Sequence, residues 1–206
     1  MTLFSYVVRW DHGFAPNPFF NVCSLATCKP HIRGAAKKGD WVLGTGSAKR
    51  GFNGKAIFLM EVEDILSFND YWEDAEFKRK RPVMNGSLQQ RFGDNIYSRP
   101  TQDGPFQQAL SRHSWSDEAN ERNLNRDTSV DRVLVGRNFT YWGDQAPVLP
   151  YDFKDFVISR PGWKEGFAAQ DVKKLVDWVE NEGDEGQVGL PVEWRYERYW
   201  WEPKKD

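Results

Sequence analysis

The chain has 206 residues, with 28 Lys and Arg against 30 Asp and Glu, a formal net charge of -2, 39% hydrophobic residues and 15% aromatic ones. This size and balance fit one globular domain with an extension, and exclude wholesale disorder. No apolar run is long enough to span a bilayer, the first residues lack the regions of a secretion signal, and two cysteines, Cys23 and Cys28, make no disulfide framework. A reducing, cytoplasmic setting without a membrane partner is therefore expected.

Residues 3–10 (LFSYVVRW) are rich in β-branched and aromatic side chains and predict an opening strand. Asp11-His12-Gly13 ends it, and two close prolines, Pro16 and Pro18, make the next stretch an irregular loop. Ser24 or Thr27 can cap a short helix that takes Pro30 in its first turn and ends near Gly34 or Gly39. Residues 40–45 read as a strand, 44–54 as a Gly-rich turn at its end, and 55–65 as a second, central strand. A helix capped by Ser67 or Asn69 follows over 67–80, then a polar, Gly/Pro-punctuated stretch to residue 127 with only short elements. Residues 132–135 and 139–142 form a strand pair or one bent strand. Residues 166–180 put six aliphatic side chains on one face, the clearest helix, closed by Gly183. Residues 192–201 (VEWRYERYWW) are too aromatic for a frayed tail, and dock on the body or make a subunit contact.

The predicted class is α+β: a small curved, mostly antiparallel sheet or barrel with flanking helices (1–160), and a helical, aromatic C-terminal extension (161–206) packed on it. Its functional centre is expected between Asp11 and Ser47. There the loop Asp11–Phe20 combines hydrogen-bonding Asp11 and Asn17 with Phe14 and its neighbours, the mixture a flat base needs: faces to stack on and a polar edge reader. The same residues could also tuck onto one another as a plain surface loop. Between Lys29 and Lys55 seven Lys or Arg face one acid, Asp40, and Lys29 with Arg33 at a helix start suits a phosphate. Trp41 offers a stacking ring, and Gly46 and Ser47 a close backbone approach. The Gly44–Ser47 turn lacks the Gly-Lys-Ser/Thr ending of a P-loop, which disfavours phosphoryl transfer from ATP. Cys23, Cys28 and His31 lack a fourth ligand at paired spacing, so neither metal nor cofactor is expected. Cys28 as a nucleophile with His31 or His113 as base, and Asp94 with His113 as an acid–base pair, are the catalytic candidates beside Asp11. Asn95 and Tyr97 are further polar candidates in the middle loop.

The motifs Y6-V-V-R-x-D-x-G-F-A-P-N-P-F, C23-x-L-A-x-C-K-P-x-I-R and G39-D-W-V-x-G-T-G-S, with G93-D-N-I-Y and F139-x-Y-W-G further on, resemble the nucleotide modification associated domain family, type two. The similarity covers about the first three-quarters of the chain. It implies a bacterial or phage protein tied to DNA base modification or phage defence, without implying a reaction. A weaker fold-level similarity is to the base-binding PUA, EVE and ASCH barrels. The first expectation is recognition of a nucleotide or a modified base in nucleic acid. The alternative is a transferase or hydrolase acting on one, and a third is an oligomer built through Trp200 and Trp201.

Overall fold

The computed structural model describes residues 1–101, 103–158 and 162–196. The predicted opening strand forms as β1 (Leu3–Val8). After the polar loop come β2 (Cys23–Leu25) and α1 (Pro30–Ala35), and then β3 (Trp41–Gly46), which runs parallel to β1 from Leu3 opposite Trp41 to Val8 opposite Gly46. Pro30 opens α1, where the missing N–H costs nothing. Neither Ser24 nor Thr27 caps it. Ser24 lies in β2, and the capping position is Lys29, in a left-handed conformation.

The apolar run over 55–65 breaks into β4 (Ala56–Glu61) and β5 (Asp64–Leu66), because its two halves belong to different sheets. Ser67 caps α2 (Phe68–Glu73) through a capping box with Asp70. The helix predicted over 67–80 is then interrupted: Asp74 turns extended and caps a separate 3-10 turn over Ala75–Lys80. The middle stretch holds α3 (Leu88–Arg91), the antiparallel pair β6 (Tyr97–Ser98) and β7 (Gln107–Gln108), and α4 (Glu121–Thr128). β8 (Val133–Gly136) and β9 (Phe139–Tyr141) are not partners of each other; each joins a different sheet. β10 (Trp163–Lys164), α5 (Ala169–Glu182) and β11 (Gly186–Gln187) follow.

The central sheet has the order β10-β1-β3-β4-β9-β11, and a second has the order β2-β8-β5. Most pairings are antiparallel, with β1–β3 and β9–β11 the parallel ones. The class is α+β with open sheets, and the described residues close no barrel. Both edges of the central sheet come from beyond residue 160. α5 lacks a side-chain cap at Ala168 but buries Val172, Leu175, Val176 and Val179. At about 1.5–3 kcal/mol for each buried side chain, that face outweighs the ~1 kcal/mol of a missing cap. No helix among the described residues is long and apolar enough to cross a membrane. Trp200 and Trp201, on which the expected subunit contact rests, lie outside the described residues.

Two hydrophobic cores result. One fills the central sheet and α5, and the other packs Phe68, Tyr71, Phe77, Phe92 and Tyr97 against the second sheet. β8 feeds both, with Leu134 in the first core and Val133 and Val135 in the second, as the two-residue strand period requires. Tyr6 belongs to the first core and Phe14 to the second, and a cavity opens where they meet.

Candidate active site

At that seam lies a cavity of about 510 Å³, walled by Tyr6 to Trp10 of the first strand and its exit, His12, Phe14 and Ala15 of the loop, Cys28 and Lys29, Arg112 and His113, and Arg126. The volume suits a small-molecule ligand, roughly 300–1,000 Å³. Four of these residues, Arg9, Lys29, Arg112 and Arg126, are cations. Lys29 lies over the Tyr6 ring, its Nζ 4.4 Å from the centroid, and Phe14 meets the His113 ring edge-on at 4.6 Å.

Cys28 is delivered by an uncommon backbone. Cys28 and Lys29 are consecutive left-handed residues, with φ of 56° and 45°, and neither is glycine. Such positions cost about 1–3 kcal/mol each and cluster at functional sites. The turn is held from behind. Asp127 Oδ1 accepts the Cys28 N–H at 3.0 Å, and Arg33 Nε donates to the Cys28 carbonyl at 2.9 Å.

The thiol faces an imidazole: Cys28 Sγ is 3.6 Å from His113 Nε2, and His113 Nδ1 is 2.9 Å from Asp127 Oδ2. The loop carrying His113 is fixed by Gln108 and Asn123, which donate to its carbonyl at 3.2 and 2.9 Å. Asp127, fully buried in the last turn of α4, also accepts from the Tyr97 hydroxyl at 2.8 Å and Arg126 Nε at 2.9 Å. Burial would raise the Asp127 pKa, but the hydrogen bond and charge of His113 and then Arg126 outweigh it and hold the carboxyl at about 2. Burial would lower that of His113, and the bonds to Asp127 and Cys28 overcome it and lift the imidazole to about 9. Burial likewise opposes ionisation of Cys28, yet the His113 bond and charge bring its pKa below the ordinary thiol value. The group sets one imidazole between a thiol and a carboxylate, an arrangement able to activate a cysteine nucleophile.

Cys28, His113 and Asp127 are also the three side chains that converge as potential metal ligands among the described residues. The ring geometry argues against a shared ion. Asp127 meets Nδ1 and Cys28 meets Nε2, on opposite edges of the imidazole, so one metal could not replace both contacts. Cys23 is buried and His31 exposed, and they form no cluster with Cys28.

Of the residues singled out from the sequence, the cavity gathers Phe14, Cys28, Lys29 and His113. Arg33 is buried behind it, and besides Cys28 it donates to the carbonyls of Asp127, Val130 and Arg132, so its guanidinium ties α1 to the end of α4. Asn17 and Asp94 enter a separate buried network. Lys80 Nζ donates to Asn17 Oδ1 at 2.7 Å and Ser24 Oγ at 3.0 Å, while Asp94 accepts from Ser24 and Tyr71 at 2.7 and 2.8 Å. Asp94 is thus not the partner of His113. Asn95 donates to the Tyr71 and Phe77 carbonyls, and Tyr97 stands behind Asp127.

Asp11 is buried and holds the C-terminal turn. It accepts from Tyr141 Oη at 2.7 Å and the Val192 N–H at 3.1 Å, and burial raises its pKa to about 6 in spite of those bonds. Trp41 lines another cavity, against α5. Gly46 makes room for Phe52, whose carbonyl oxygen would lie 2.3 Å from an added Cβ, and Ser47 caps the turn at Ala48. Asp127, Arg9, Trp10, Arg112 and Arg126 were not anticipated. A signal for Asp127 exists: it follows Leu124 at helical spacing, a carboxylate on the buried face of α4.

The family model of nucleotide modification associated domain 2 matches residues 1–198, and the chain belongs to that family. The match runs through the C-terminal segment that supplies both edge strands. No curated protein and no solved structure shows a significant match.

Proposed function

We propose that this member of the nucleotide modification associated domain 2 family is an enzyme, a transferase or hydrolase, that acts through Cys28 on a phosphate-bearing nucleotide or nucleic-acid base. The observation that carries the reading is one imidazole bridging a thiol and a buried carboxylate at the wall of a cationic cavity. In this reading Cys28 Sγ adds to an electrophilic carbonyl- or amidine-type carbon of the bound substrate. The His113 Nε2 proton passes to the leaving nitrogen or oxygen as its bond to carbon breaks, which leaves the carbon on sulfur. Water or an acceptor amine, losing its proton to His113, then displaces the sulfur and restores the thiolate. Asp127 keeps Nε2 toward sulfur throughout. Lys29, Arg112 and Arg9 are the phosphate ligands, and Phe14 is a ring surface for a base.

Alkylation of Cys28 by iodoacetamide, followed across pH, tests the reading without knowledge of the substrate, because Cys23 is fully buried. The thiol should titrate below the ordinary cysteine range, and His113→Ala should return it there. A Cys28 titration that is ordinary and indifferent to His113 would sink the nucleophile. Binding of nucleotides that survives Cys28→Ala, without turnover in the intact protein, would instead favour recognition alone.

A further inference from the structure

We infer that the substrate is a single strand of nucleic acid rather than a free nucleotide, gripped at and beyond the mouth of the catalytic cavity by Trp10, Arg112 and Lys49; this rests on the nucleophile reading of that cavity. A second cavity of about 300 Å³ adjoins the first and shares three wall residues with it, Trp10, His12 and Arg112, beyond which lie Arg50, Glu193 and Tyr196. A mononucleotide needs only the inner space. Two cavities joined through an arginine and an indole suit a ligand that continues past the reacting unit.

The chemistry of the outer shelf is that of a strand-binding surface. Trp10 is 40% exposed and Tyr196 55% exposed, large aromatic surfaces that packing alone would have covered. Lys49 Nζ lies 3.9 Å from the Trp10 ring centroid, and the Arg50 guanidinium lies 4.0 Å from that of Tyr196. Rings flanked by cations stack bases while the charges track the phosphates. The one carboxylate among the described residues of the shelf, Glu193, is neutralised by Arg50, whose Nη2 and Nε reach it at 2.8 and 3.0 Å. Arg9, Lys49 and Arg112 have no carboxylate partner among the described residues. An unpaired strand is favoured over a duplex, because a base must leave its stack to enter a cavity. DNA and RNA share this chemistry.

Fluorescein-labelled single-stranded DNA and RNA of about fifteen nucleotides, a length that covers one binding site, serve as probes of the full chain. Competitors are the matching duplex, the mononucleotides and poly-glutamate. The single strand should bind with an affinity that falls steeply with salt. Trp10→Ala and Lys49→Glu should each weaken it roughly tenfold, with unchanged melting temperatures. The DNA and RNA arms identify the strand. Mononucleotides or poly-glutamate competing as well as the strand, or both variants binding as the parent does, would overturn the inference. The alkylation profile of the unaltered protein keeps the two proposals apart. An ordinary Cys28 with intact strand binding removes the nucleophile alone, and a perturbed Cys28 without strand binding removes the strand alone.

Discussion

The Lys80 network and the Cys28 corner grow from the same short segment and use similar residues, yet they differ in how their polar atoms are spent. Ser24 enters the first and Cys28, just beyond it, the second. Lys80 Nζ donates to four acceptors at 3.0 Å or less, the Asn17 carbonyl and side chain, the Val22 carbonyl and Ser24 Oγ, and the whole cluster is buried. Burial lowers the Lys80 pKa to about 8 against the pull of Asp94. None of those residues lines the cavities described above. Around Cys28 the carboxylate is just as saturated, but the sulfur and the imidazole are half-buried and line open space. A perturbed pKa is common to both clusters. What separates a structural cluster from a reactive one is the unspent atom facing room for a ligand.

Breaking the enclosed cluster should have the largest effect. Lys80→Met strips the partner charge from buried Asp94 and leaves Asn17 Oδ1 and the Val22 carbonyl without their Lys80 donor, which should cost about 3–5 kcal/mol in urea unfolding. A loss under about 1 kcal/mol would mean the network does not anchor the polar loop. Breaking the open cluster should do the reverse. His113→Ala should lower Cys28 alkylation at pH 7 roughly tenfold or more while leaving most of the stability intact. If unfolding suffers as much as reactivity, the corner is structural too.

pH should sharpen the contrast further. His113, lifted from 6.5 to about 9, contributes stability that is complete below 6.5 and lost as pH climbs through about 9. Asp127, lowered from 3.8 to about 2, contributes stability present above 3.8 and lost as pH falls toward about 2. Turnover on a substrate should therefore follow a bell whose alkaline limb lies near 9, where the leaving group loses its proton donor. NMR titration can read His113 directly, since the chain has three histidines. An imidazole that titrates near 6.5 would remove the ion pair. The smallest effect is expected from Tyr97→Phe, which takes one donor from Asp127 and should cost about 0.5–1.5 kcal/mol, with His113 still titrating well above 6.5.

Much of the architecture was legible because local chemistry carried it. The first strand, the Pro30 helix start, the Ser67 cap and the aliphatic face of α5 each follow from a handful of neighbouring residues. The break of the 55–65 run and the separation of β8 from β9 were not legible, since both depend on which sheet a strand joins. In the candidate site, Cys28 with His113 could be named from residue type, while Asp127 could not. It joins them from α4, 99 residues beyond Cys28.

The sequence by itself determined the class and the family, because these rest on patterns continuous along the chain. Tertiary structure alone decided which polar residues are consumed and which are free. Arg33 and Asn17 read as ligand contacts, and Asp94 as half of an acid–base pair, while burial turns their hydrogen-bonding groups inward. Arg9, Trp10 and Arg112 carried no functional reading in the sequence, and line a cavity at the seam of the two cores. Hydrogen-bonding capacity is a property of the residue, but its availability is set by which groups fold brings within about 3 Å.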